Sequence, residues 1–254
     1  MYIIFTVIVF LATLIGSIFG IGGGIIIKPA LEAASNLPLS YVNSISGLTV
    51  LCMSVVSFTQ YLKNGVKLDS RIIWLSLGAV GGGFLGKALF EFMNLFMKEE
   101  FAKTLQYFLL ICLMIAALFK DKFKTYNIGG NTASLLSGVC MGILSSFLGI
   151  GGGPVNLLVI YVVLGVDTKI AAIYSIFAIL CSQLSMVTLT AVTGGYAGSD
   201  WYLLLLMVTS AIIGGLIGPI VHKKWDLVRI EKYYKYLLMA LIVLNLYNIA
   251  QTLT

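Results

Sequence analysis

Two short stretches hold the residues with the clearest capacity for chemistry. Gly20-Ile21-Gly22-Gly23-Gly24 and Gly149-Ile150-Gly151-Gly152-Gly153 each interrupt a long apolar run. Such a cluster works through its backbone: without Cβ atoms the amides can approach an anion closely. A helix beginning just after it aims unpaired N–H groups and a positive dipole end at the same point. Pro154 fits the first turn of such a helix, where its missing N–H costs nothing. The expected substrate-binding set is therefore Gly22, Gly23 and Gly24 from the first cluster and Gly151, Gly152, Gly153 and Pro154 from the second. Asn43, Ser46, Asn156 and Ser175, polar residues inside apolar runs, add hydrogen-bond donors for an oxyanion. Lys28, one turn beyond Gly24, either complements the anion's charge or snorkels to the outer interface. A dinucleotide or Walker loop needs a strand–turn–helix setting, which neither cluster has.

Other reactive residue types are sparse. The single histidine, His222, flanks Lys223 and Lys224 and reads as a solvated helix end. Glu32 and Glu91 are the only carboxylates close to or within apolar runs, so proton coupling has few carriers. Cys52, Cys112, Cys140 and Cys181 form no CxxC pair and read as small core residues. A membrane-embedded enzyme would need a nucleophile–base pair or metal cluster at span depth, and the chain groups no such residues. No catalytic residue, metal ligand or cofactor is expected.

The elements that position the glycines are set by composition. Of 254 residues, 59% are hydrophobic and 10% charged, against roughly 25% charged in soluble domains. Uncharged runs such as Tyr2–Phe19, Tyr41–Leu62, Ile170–Ser199 and Trp201–Val221 meet or approach the roughly 20 residues of a spanning helix. The reading is an all-α polytopic membrane protein. Tyr2–Phe19 has no basic segment before it and is kept as a span rather than a signal peptide. Trp74, Trp201, Trp225, Tyr233, Tyr234 and Tyr236 lie near span ends, where an interfacial belt belongs. The net charge of +6 suits topology and anionic lipid better than nucleic acid.

A shift of 129 positions superposes the two glycine clusters, Ser46 on Ser175 and Cys52 on Cys181. With a drift to 132, Gly82, Gly83 and Gly86 fall on Gly214, Gly215 and Gly218. The chain is thus a duplication: residues 1–119 form a first repeat, 120–128 a cytoplasmic linker and 129–254 a second repeat. Equivalent loops carry opposite basic bias, as inverted repeats require. Inversion needs an odd number of crossings, and the glycines supply it. Tyr2–Ala34, about 50 Å if helical, exceeds a core of about 30 Å, so it enters, breaks at Gly20–Gly24 and turns back. Each repeat then comprises a glycine-broken re-entrant helical unit plus three spanning helices. Twelve of the 16 basic residues fall on the linker's face, leaving Lys28, Lys87, Lys98 and Lys103 on the other. Both termini are then external; a plain eight-span model, which splits the basic residues almost evenly, ranks second. Gly78, Gly82 and Gly86, with Gly214, Gly215 and Gly218, read as close-packing positions.

The segments "FGIGGG…KPAL" and "LGIGGGPVNLLVIYVVLGVDTKIAAIYS", in this duplicated layout, resemble the sulfite exporter TauE/SafE family of bacterial inner-membrane proteins. The likeness covers the whole chain. It implies a multi-pass secondary transporter, an exporter of sulfite or a related sulfur oxyanion or organosulfonate. It supports Gly20–Gly24, Pro29, Gly149–Pro154, Ser46 and Ser175 as functional positions. The first cluster departs from the second in lacking a proline directly after its glycines. No ATP-binding loop is present; an interior-negative potential, about 2.3 kcal/mol per charge per 100 mV, suffices to drive anion efflux. A non-transporting accessory subunit is the remaining alternative.

Overall fold

The computed structural model describes residues 2–35, 37–66, 69–122, 130–197 and 199–253. Most of the expected linker, including Asn127, lies outside the described residues. Among them the chain is helical throughout: α1 (Tyr2–Phe19), α2 (Gly24–Ala34), α3 (Leu39–Lys63), α4 (Ser70–Phe96) and α5 (Glu99–Leu118), then α6 (Asn131–Leu148), α7 (Gly153–Leu164), α8 (Thr168–Val192), α9 (Trp201–Lys224) and α10 (Leu227–Leu253). A single 3-10 turn, Lys120–Lys122, follows α5. Eight of the helices are long and apolar enough to cross a membrane, the 18-residue α1 and α6 among them. The two short ones, α2 and α7, each follow a glycine cluster.

Local chemistry sets the helix ends. α1 stops where Gly20 and Gly22 take φ of 71° and 69°, and α6 where Gly149 takes 65°, values that residues with a Cβ seldom adopt. Asp69, Asp167 and Asp200 cap α4, α8 and α9 by accepting from backbone amides of the first turn. The guanidinium of Arg71, 2.7 Å away, holds the Asp69 carboxyl below the usual carboxylate range. Asp200 is likewise lowered, first by the hydrogen bond it accepts from the Tyr2 hydroxyl.

The helices pack in pairs that match under exchange of the two halves. α4 lies on α6 as α9 lies on α1; α4 on α8 as α9 on α3; α5 on α7 as α10 on α2. α3 with α8, and α5 with α10, complete the pattern. Small residues permit the closest of these approaches. A methyl at Gly78, Gly82 or Gly86 would run into the carbonyls of Leu135, Val139 and Ile143, and one at Gly214 or Gly218 into Thr13 and Ser17. The outer surface is apolar: Leu95, Phe92, Val192, Val228 and Val243 stand exposed. That surface is costly in water and is solvated by lipid.

Candidate functional site

The two glycine breaks face one another. A methyl built on Gly22 would lie 3.2 Å from Ile179 and 3.6 Å from Val50; one on Gly151 would lie 2.8 Å from Val50 and 3.5 Å from Ile179. Val50 and Ile179 are each the twelfth residue of a 25-residue helix, α3 and α8. The breaks therefore sit level with the middle of the two central helices. Contacts across the pair are reciprocal: a methyl on Gly24 would strike the Ile150 carbonyl, and one on Gly153 would come 3.5 Å from the Ile21 carbonyl.

Backbone donors collect here without acceptors. The helices α2 and α7 begin with no side-chain cap at Gly23 or Gly152. Among the described residues, the amides of Gly22, Gly23, Gly24 and Ile25 donate to no protein acceptor, nor do those of Gly151, Gly152 and Gly153. Pro154, in the first turn of α7, has no N–H to leave unpaired. Gly152 and Gly153 hold φ of 99° and 43°, whereas Gly23 has an ordinary φ of −71°. Gly23 is needed for closeness, since its methyl would lie 2.9 Å from Thr13.

Side chains line the same region. Ser46 and Ser175 are fully buried, and their hydroxyls have no partner among the described residues. Each lies one helical turn before Val50 or Ile179 and so shares the face turned to the breaks. Asn43, also buried, leaves both side-chain polar atoms unpartnered and lies against Gly149. Gln183, one turn beyond Ile179, is fully buried with both polar atoms unpartnered. It follows Ser175 and Ile179 on one face of α8 and lies against Gly47 of α3. Asn156 lies behind the second break, its Oδ1 accepting from Ser145 at 3.3 Å and its side chain filling the space where a Gly152 methyl would fall. Cys52 and Cys181 are half-buried.

Of the two readings of Lys28, snorkelling is not the one adopted. The side chain is wholly buried, donating to the Leu148 carbonyl at 2.7 Å and to Gln106 Oε1. Gln106 in turn donates to the Phe147 carbonyl at 2.7 Å. Ammonium and amide together hold the carbonyl end of α6, where a positive charge is favoured. His222 corrects the expectation of a solvated helix end. It is buried, with Nδ1 2.6 Å from the Ile18 carbonyl and its ring edge-on to Tyr61. Lys223 and Lys224 point elsewhere because successive helical residues are turned about 100° apart. Tyr61 donates to the Ser17 carbonyl at 2.8 Å. Each break thus has its carbonyl end held by two side chains and its amide end open.

Cavities open at the end of the molecule carrying the start of α3, and the two larger ones, each of about 530 Å³, share Pro38. One is bounded by Ser44, Lys87, Glu91, Asn94 and the turn after α8, the other by Glu32, Lys103, Tyr107 and the end of α10.

A family model described as sulfite exporter TauE/SafE matches residues 5–247. A probable membrane transporter protein of Haemophilus influenzae is 22% identical over 209 residues, covering 81% of this chain and 73% of that protein. The probable membrane transporter protein YunE of Bacillus subtilis is 22% identical over 252 residues, covering 88% of this chain and 89% of its own. No solved structure matches the chain.

Proposed function

The chain belongs to the sulfite exporter TauE/SafE family of membrane transporters, and from that premise we propose that it exports sulfite or a related sulfur oxyanion or organosulfonate. The anion is held between the two breaks, at the N-termini of α2 and α7. One observation carries the reading: seven backbone amides without protein acceptors converge at mid-depth from two helix starts, among the described residues. Buried donors of that kind are costly unless something accepts from them, and an anion between two positive dipole ends fits best. Ser46, Ser175, Asn43 and Gln183 contribute hydrogen bonds from α3 and α8. Asn156 shapes the second break. Lys28 supplies positive charge from beside Gly149.

Residues 1–119 and 129–254 act as inverted repeats in a bacterial inner membrane, with the 120–128 linker cytoplasmic and both termini external. Five α-helices in each half among the described residues, the matched packing of the halves and the basic bias of the loops support this arrangement. Alternating access would come from one set of helices moving against the other around the breaks.

Purified protein in liposomes tests the assignment. Loaded radiolabelled sulfite should leave faster than from protein-free vesicles, and an imposed potential, negative inside, should increase the rate. A sulfonate loaded in its place should follow. Flux equal to protein-free vesicles for both anions would overturn the reading.

A further inference from the structure

One turn along α2 from the lysine that reaches the second break lies a half-buried carboxyl that anion binding alone does not use. Glu32 is one turn beyond Lys28 on α2, and its Oε2 accepts from the Tyr107 hydroxyl at 2.5 Å. Its Oε1 is buried with no partner among the described residues, yet the residue lines the cavity at the α3-start end. One carboxylate oxygen is therefore held, and the other is unpaired among the described residues, on a side chain that lines the cavity. Glu99, the neighbouring acid, is already used: it accepts from the Leu39 amide at 2.8 Å and pairs with Lys103 at 2.9 Å. The remaining titratable groups facing Glu32 are Lys28 on its own helix and Glu100 and Lys103 on α5. From α10 come Asn248, Gln251 and Thr252, which do not titrate. α1 and α3, also packed on α2, carry no carboxylate.

Among the described residues, the ammonium of Lys28 makes no ion pair within 4.0 Å and rests on a carbonyl and an amide oxygen. Its nearest source of negative charge along the chain is Glu32. When Glu32 is ionised, the two charges largely offset each other in a dry interior. When it is protonated, the positive charge beside Gly149 is left for an anion.

We infer that Glu32 is a proton-binding site loaded through the α3-start cavity, and that its protonation and anion binding at the second break strengthen each other. The proton passes from cavity water to Oε1, and Tyr107 keeps its hydroxyl proton throughout. Linkage makes the effect reciprocal: bound anion also raises Glu32's hold on the proton. This rests on the anion reading above and adds to that site a residue whose protonation tunes it.

The test measures binding of thiosulfate and methanesulfonate, which hold their charge across the range used, to purified protein in nanodiscs from about pH 8 to about pH 5. Wild-type affinity should rise about tenfold as pH falls. Glu32→Gln, which imitates the protonated acid, should bind tightly at every pH. Tyr107→Phe removes a hydrogen bond that favours the ionised form and should move the rise to higher pH; it also serves if Glu32→Gln does not fold. Wild-type affinity independent of pH, or an unchanged profile in the two variants, would overturn the linkage while leaving sulfite flux at fixed pH as separate support for the anion site. No binding at any pH, with no flux, would remove the site and the linkage together.

Discussion

The two glycine breaks share a backbone plan and differ in what holds their carbonyl ends. At the first, α1 ends on Tyr61 and His222, which meet the Ser17 and Ile18 carbonyls at 2.8 and 2.6 Å. At the second, α6 ends on Gln106 and the Lys28 ammonium, each 2.7 Å from the Phe147 and Leu148 carbonyls. One pair comprises an aromatic hydroxyl and an imidazole at the linker end of the long helices. The other includes a lysine amine. Position 157, which corresponds to Lys28 under the shift, is leucine. The two breaks thus share the costly part, backbone with positive φ at Gly20, Gly22, Gly149 and Gly151, while the groups that close the helix ends differ. A nearly symmetric frame then surrounds a candidate site with an ammonium at one break and none at the other.

The largest effect should come from breaking what the two halves share. Gly24→Val drives a side chain into the Ile150 carbonyl, and Gly152→Val places one at φ 99° against Asn156. The backbone strain at position 152 costs about 1–3 kcal/mol before the overlap is counted, whereas at position 24 the overlap acts alone. Each variant should insert normally and lose sulfite flux to the level of protein-free liposomes. Gly81→Ala, where a methyl meets nothing within 4 Å, should transport as wild type. If only one of the two valine variants is inactive, the breaks are not equivalent in function.

Much of this frame is legible in the residues. The glycine clusters, the apolar run lengths and the 129-residue repeat require helices that break, and helices break there. The partners of the breaks are not legible, because each arrives from far along the chain. Gln106 meets Lys28 across 78 residues, and His222 meets Ile18 across 204. A polar residue in an apolar helix declares a need for a partner without naming one. His222 misleads further, since two adjacent lysines suggest water while the helix turns its ring inward. Lys28 carries the same ambiguity: four methylenes reach the membrane surface or a neighbouring carbonyl equally well, and only packing decides.

The charge difference between the breaks gives the next effect. Lys28→Gln keeps a donor for the Leu148 carbonyl and removes the positive charge. If the charge serves the anion, KM for sulfite should rise about tenfold to fiftyfold, the range of a lost charge-assisted contact of about 1.5–2.3 kcal/mol. His222→Asn also keeps a donor near the Ile18 carbonyl and alters no charge beside an amide cluster. Its KM should stay within about threefold of wild type. Equal effects of the two changes would mean that both residues only close helix ends, and the asymmetry would have no bearing on binding.

The smallest effect concerns a difference of one side chain. Gly20 abuts the backbone of Ala172, and Gly149 abuts the side chain of Asn43, positions that correspond under the 129-residue shift. One half therefore places a methyl where the other places an amide. Both polar atoms of that amide are buried without partners among the described residues, an arrangement that lowers stability unless a ligand uses them. Asn43→Ala makes the halves alike at this point. If the amide donates to the anion, KM should rise about fivefold, close to the 1 kcal/mol of one neutral hydrogen bond. Melting temperature without substrate should hold or increase, because an unpaired polar group has gone. The stabilisation that added sulfite gives wild type should shrink in the variant by the same factor in affinity. A lower melting temperature with unchanged KM would assign Asn43 to packing against Gly149, and would confine the donors of the site to the backbone amides, the serines and Gln183.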